Sequence, residues 1–154
     1  MLYYLSLGSN LGDRESTLRS ALQLIEQRIG SVLRCSSFYY SKPWGFTSAN
    51  DFCNLCCALE TDKKPLDVLR LTQTIERALG RTKKTQIIKH QTLIYSDRTI
   101  DIDLIRVFND DGTEIKCQIP NNKSQMSSVP LLTLPHPLWQ ERDFVKVPLA
   151  EIMH

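Results

Sequence analysis

Apolar and polar positions along this chain follow two periods, and the switches between them mark its elements. Residues 2–7 form a short, nearly unbroken apolar run that Gly8-Ser9-Asn10 ends, which predicts a central strand. Leu18, Ala21, Leu22, Ile25 and Ile29 then recur at helical spacing, with Asp13 placed to cap the start and Gly30 to close the end. Residues 32–40 are rich in branched and aromatic side chains and predict a second strand. A loop with Pro and Gly follows over 41–51, and 52–61 read as a third strand. Asp62 and Pro65 open a second helix, with Leu66, Leu69, Ile75 and Leu79 along its apolar side and Gly80 after it. A polar, basic stretch then leads to Arg98-Thr99-Ile100-Asp101-Ile102-Asp103-Leu104-Ile105, whose alternation is that of a strand.

The order strand, helix, strand, strand, helix, strand predicts an α+β domain. Its pattern is the ferredoxin-like split βαβ sandwich, an antiparallel sheet with both helices on one face. Beyond it, Asn109-Asp110-Asp111-Gly112 is a turn signal, and with 113–119 it predicts a C-terminal hairpin extending the aspartate strand. Residues 121–128 are polar, 131–137 lead into a short helical piece, and 147–153 make a last apolar packing segment. No internal repeat interrupts this plan, so residues 1–154 are expected to form a single domain.

Composition narrows the class. A chain of 154 residues, 42% hydrophobic and 23% charged, can build a core without staples. It has no apolar run of membrane-spanning length and no secretory leader pattern, so a cytoplasmic location is the expectation, and a monomer is expected, though no sequence feature reports the oligomeric state. A net charge of +2 is too small for bulk nucleic-acid binding, but its distribution is uneven. Arg81, Lys83, Lys84, Lys89 and Arg98 face only Asp97 within 81–98, which suits a small anionic ligand. Cysteines at 35, 53, 56, 57 and 117 form no regular framework. Cys53 and Cys56 have a chelating spacing, yet residues three apart on a strand face opposite sides, so buried reduced thiols are expected.

The chemistry is concentrated in the last predicted strand of the split βαβ unit. Ile100, Ile102 and Leu104 can enter a core while Asp101 and Asp103 point together the other way, roughly 6–7 Å apart at Cα. Two adjacent carboxylates repel, and a hard divalent cation cancels the repulsion; Mg²⁺ is commonly held by one or two carboxylates plus substrate phosphates. A solvated acidic face is the bland alternative, against which Arg98 at the strand's entry favours a phosphate sharing the metal. The loops 41–51 and 81–97 are longer than a compact fold needs, as binding loops and lids often are.

Together the motifs resemble the 6-hydroxymethyl-7,8-dihydropterin pyrophosphokinase (HPPK) family of folate biosynthesis. They run in order from Leu7-Gly8-Ser9-Asn10-Leu11-Gly12 through Ser36-Ser37-Phe38-Tyr39, Pro43-Trp44-Gly45 and Asp51-Phe52-Cys53-Asn54. Gln73-Thr74-Ile75-Glu76, Gly80-Arg81, the aspartate strand, Pro135-His136, Arg142-Asp143-Phe144 and Pro148-Leu149-Ala150-Glu151-Ile152 complete the series.

The resemblance implies transfer of the β,γ-pyrophosphoryl group of ATP to the pterin's primary alcohol, leaving AMP. It implies two Mg²⁺ ions on Asp101 and Asp103, with Arg81 and Arg98 stabilising the transferring group. His136 and Arg142 match further phosphate contacts. Phe52 and Phe144 match the faces that stack on the pterin, Asn54 a hydrogen bond to the ring edge, and Ser41, Pro43 and Trp44 the bordering loop. Gln73, Glu76, Lys83 and Tyr95 match nucleotide-side positions, and Leu104, Leu132 and Thr133 the adenine site. Lys83 stands where arginine is common, Pro137 where tyrosine often follows the histidine, and 109–128 is an insertion. The match ends near Ile152, so no attached aldolase or synthase domain is expected.

Two other classes share the strand order. An acylphosphatase-like hydrolase would not need paired aspartates, and would release inorganic phosphate from acyl phosphate rather than AMP from ATP. An RNA-recognition module stacks bases on its central strands, where outward aspartates would repel the phosphate backbone.

Overall fold

The computed structural model describes residues 1–42, 51–80, 99–121 and 130–153, together with the backbone of 87–89 and 92–94. Strand β1 (Leu2–Ser9) is central and pairs antiparallel with β4 (Phe52–Glu60) on one side and β7 (Asp101–Phe108) on the other. Strand β2 (Ser31–Cys35) pairs with β4 beyond it, giving the order β2-β4-β1-β7. This is the ferredoxin-like topology predicted from the element order. Tyr3 to Ser9 are all buried, so β1 reads as an unbroken apolar run because both its faces are covered.

Helix α1 (Arg14–Arg28) is capped by Asp13, whose carboxylate accepts from Ser16 N at 3.2 Å. Helix α2 (Pro65–Ala78) carries its proline in the first turn, but Lys64 rather than Asp62 occupies the cap position. Both helices pack on one face, where Leu18, Ile25, Val68 and Ile75 meet Tyr3, Leu5, Leu7, Leu59 and Ile102. The opposite face is covered by a third helix, α3 (Asp143–Ile152), through Val145, Leu149 and Ile152 against Tyr4, Cys56, Ala58 and Ile105.

Besides the α2 cap, the structure departs from the sequence reading in four places. The second predicted strand is split, with β2 followed by a separate β3 (Tyr39–Ser41), and both pair with β4. Between them Ser36 takes over the ladder: its N–H donates to Cys56 O at 2.8 Å and its hydroxyl accepts from Cys56 N at 2.9 Å. Gly30 is required by a close approach, not by a left-handed cap. A Cβ there would run into the Glu60 carbonyl oxygen and stand 2.7 Å from Thr61 Cβ.

The segment 81–97 contains a small hairpin of β5 (Ile87–Lys89) and β6 (Thr92–Ile94). The turn at 109–112 forms, with Gly112 at φ 88°, but the hairpin it starts is short. After Ile115 N–H reaches Val107 O at 2.8 Å, the chain leaves β7, and β8 (Cys117–Ile119) pairs with β9 (Leu132–Leu134).

Cys53, Cys56 and Cys57 are buried, and Cys53 and Cys56 lie on opposite faces as the strand phase requires. Burial pushes the Cys56 thiol up to about 12, so it stays protonated at neutral pH.

Candidate active site

Register places the chemistry. Gly8 is opposite Asp101 on one side and opposite Asn54 on the other, and Ser6 is likewise opposite Asp103 and Cys56. Asn54 is opposite Tyr39 on β3, and Phe52 opposite Ser41. Asp101, Gly8 and Asn54 therefore form one row across three strands, with about 10 Å from the first backbone to the last. Because the middle residue is glycine, the row is a trough with a carboxylate on one wall and an amide on the other.

The alternation in β7 is as predicted. Ile102 and Leu104 are buried and Asp101 and Asp103 half-buried between them. The register with β1 then slips, so that Ile105 is an extra residue and the strand re-phases just past the acid pair. Bulges of this kind commonly re-aim side chains beside functional sites.

Asn54 is 2% exposed, and its amide is oriented by two bonds: Nδ2 donates to Tyr39 O at 3.0 Å and to Ser41 Oγ at 2.8 Å. The amide nitrogen is thus turned toward β3, and Oδ1 lies toward Gly8. Phe52 and Ser41 are half-buried beside it.

The start of α3 overhangs the same face, since Cys56 Sγ lies 3.6 Å from Val145 O. Phe144, half-buried, packs on that side of the sheet, and the Arg142 guanidinium sits 5.8 Å from its ring centroid.

His136 is tied to the bulge: its N–H donates to Ile105 O at 2.8 Å. Its Nδ1 accepts from Leu138 N at 3.1 Å, which puts the proton of the neutral ring on Nε2. The nucleotide-side residues divide. Gln73 is half-buried, whereas Glu76 is 2% exposed and its Oε2 accepts from Ile102 N at 2.9 Å. Leu104 and Leu132 lie in the core on the α1/α2 side, with Thr133 half-buried between Leu132 and Leu134. Pro43, Trp44, Arg81, Lys83, Tyr95 and Arg98 lie outside the described residues.

One anchor had no signal in the sequence. Arg14 donates from Nη1 to Asp51 O at 2.8 Å and stacks 5.4 Å from the Tyr40 ring, while Tyr40 OH donates to Glu15 Oε1 at 2.7 Å. It ties α1 to both stems of the segment between β3 and β4. Arginine in the first turn runs against the helix dipole, and only the tertiary partners explain it.

Among the described residues no three His, Cys, Asp or Glu side chains converge to hold a metal by themselves. Two half-buried aspartates one residue apart instead suit a hard cation that completes its shell with water and phosphate oxygens.

Topology and secondary structure define an α+β domain of ferredoxin-like architecture. The chain belongs to the 7,8-dihydro-6-hydroxymethylpterin-pyrophosphokinase (HPPK) family, whose model matches residues 4–154. It is 43% identical over 151 residues to 2-amino-4-hydroxy-6-hydroxymethyldihydropteridine pyrophosphokinase of Porphyromonas gingivalis, covering 98% of this chain and 90% of that protein. The Bacillus subtilis enzyme of the same name is 36% identical over 150 residues, covering 97% of this chain and 76% of that one. A Plasmodium falciparum HPPK-DHPS structure superposes with a TM-score of 0.69 at 16% identity. That match covers 97% of this chain, which spans 40% of the length of the solved one. The family's reaction is pyrophosphoryl transfer from ATP in folate biosynthesis. The described residues contain no helix long and apolar enough to cross a membrane.

Proposed function

We propose that the trough over Gly8 is where this chain joins its two substrates, ATP entering from the Asp101 wall and 6-hydroxymethyl-7,8-dihydropterin from the Asn54 wall. The observation that carries the reading is the row Asp101–Gly8–Asn54. It puts a carboxylate and a held amide on one face, with a residue that has no side chain between them. Phe52 and Phe144 supply apolar ring faces for a flat heterocycle, and Asn54, oriented by Ser41, supplies a polar group for its edge. Pro43 and Trp44 are assigned to the pterin side by the family resemblance alone.

Asp101 and Asp103 hold two Mg²⁺ ions, which when bound neutralise the triphosphate and favour ionisation of the attacking hydroxyl. The pterin hydroxyl oxygen bonds the β-phosphorus as the bond from that phosphorus to the α–β bridging oxygen breaks. The hydroxyl proton passes to solvent and AMP leaves. Arg81 and Arg98 carry the charge of the transferring group, because a planar guanidinium meets phosphate oxygens with two hydrogen bonds. His136, through Nε2–H, and Arg142 contact phosphate. Gln73, Lys83, Tyr95 and Thr133 form the nucleotide side, and Leu104 and Leu132, buried in the α1/α2 core, back it rather than touch the nucleotide with their side chains. In this reading residues 1–154 act as one domain, as a cytoplasmic monomer.

The test is product analysis with purified protein, ATP, Mg²⁺ and the hydroxymethyl-dihydropterin. The reading requires AMP and the pterin diphosphate in equal amounts, lost in Asp101→Asn. Production of ADP or of inorganic phosphate in place of AMP would overturn it.

A further inference from the structure

Helices α1, α2 and α3 each send one glutamate to a backbone N–H of the sheet region. Glu26 of α1 accepts from Val32 N at 2.6 Å, Glu151 of α3 from Ser37 N at 3.0 Å, and Glu76 of α2 from Ile102 N at 2.9 Å. Unpaired N–H groups along a sheet edge need partners, and a carboxylate also keeps other strands away. Glu26 and Glu151 do this from exposed positions, where the carboxylate keeps most of its hydration. Glu76 is 2% exposed. Burying a carboxylate is costly unless its bonds are good, and edge protection alone does not ask for it.

Its place along the strand supplies the reason. Among the described residues β7 is the last strand on its side of the sheet, so no described strand sets the course of its outer edge. His136 N–H fixes Ile105 O and Ile115 N–H fixes Val107 O, each at 2.8 Å, both beyond the acid pair. Within the acid pair the outward group is Ile102 N–H, the residue between Asp101 and Asp103. The atom that receives it is Glu76 Oε2.

We infer that Glu76 is a positioning residue for the metal-binding strand: its buried carboxylate fixes the peptide between Asp101 and Asp103 and so sets the spacing and aim of both. The inference rests on the reading of those aspartates as metal ligands, and it gives Glu76 a role other than nucleotide contact. Second-layer partners that orient a ligand typically change metal affinity by about 10–100-fold when removed.

The experiment measures Mn²⁺ binding to the full chain, by electron paramagnetic resonance, with α,β-methylene-ATP present. Nucleotide affinity in chelator and pterin affinity are measured alongside. Glu76→Gln keeps an acceptor at the same reach and is expected to bind Mn²⁺ near the wild-type value. Glu76→Ala, and Glu76→Asp, which keeps the charge but not the reach, are expected to weaken Mn²⁺ by about 10–100-fold with pterin affinity and chelator-phase nucleotide affinity unchanged. If Glu76→Ala does not fold, the Gln and Asp pair decides alone. Equal loss of nucleotide affinity in chelator would make Glu76 a nucleotide contact and overturn the inference, as would Gln behaving like Asp. Asp101→Asn separates the two readings: if it binds Mn²⁺ as wild type does, the assignment of the aspartates fails first.

Discussion

Gly8 and Asn54 face each other across β1 and β4, and the space that Gly8 leaves empty is the space Asn54 occupies. A Cβ at Gly8 would stand 2.9 Å from Asn54 Oδ1 and 3.5 Å from Phe52 Cδ1. Asn54 cannot swing aside without giving up its bonds to Tyr39 O and Ser41 Oγ. Gly8→Ala is therefore expected to weaken pterin binding by about 1–3 kcal/mol, the cost of disturbing buried hydrogen bonds, with little change in nucleotide affinity. Calorimetric titration with each ligand checks it. Gly12→Ala is the control, since nothing lies within 4 Å of a Cβ there and its cost is confined to the φ of 65°.

Asp101 and Asp103 are half-buried, side by side and on the face away from the α1/α2 core. If they serve chemistry, each Ala variant should lose turnover while its melting temperature stays level or rises as like-charge repulsion is relieved. Calorimetric melting beside a turnover assay at saturating Mg²⁺ decides. Wild-type turnover in Asp103→Ala would remove the metal assignment.

Ser41 reaches the site through Asn54. Ser41→Ala removes one of two acceptors that orient the amide, so pterin affinity should fall by about 1 kcal/mol, less than in Asn54→Ala. A larger loss in Ser41→Ala than in Asn54→Ala would mean that Ser41 touches the ligand itself.

The sheet and its order were legible because periodicity and turn residues act locally. The run over Leu2–Ser9, the Asp13 cap and the alternation around Ile102 each carry their own signal. What stayed hidden depends on partners far away in sequence. Ser36 replaces a ladder group only because Cys56 arrives beside it, and Gly30 is needed only because Glu60 passes close. The site divides the same way. The acid pair and the phase of Asn54 follow from the strand period. That Glu76 turns under Ile102, or that Arg14 ties down Asp51, is tertiary and leaves no trace in local pattern.

Arg106 and Glu114 give a stability prediction with a defined pH window. Arg106 donates to both oxygens of Glu114, at 2.8 and 2.9 Å, and its guanidinium lies 5.0 Å from the Phe108 ring and 5.3 Å from the Trp139 ring. The two side chains are 22% and 17% exposed, so the pair is only partly screened. The Arg106 hydrogen bonds hold the Glu114 carboxyl below its ordinary value of 4.5. A carboxyl depressed on folding adds stability that is fully present above its unfolded value and is lost as pH falls through the folded one. Glu114→Gln should therefore cost about 1–3 kcal/mol at pH 7, and the gap to wild type should stay level down to about pH 5. Below that it should close. Turnover at pH 7 should not change, because Arg106 is opposite Tyr4, two rows along the sheet from the Gly8 row. Denaturant melts of both proteins at a series of pH values measure the gap directly. A gap as wide in strong acid as at neutrality would assign the pair's contribution to packing on Phe108 and Trp139 rather than to charge.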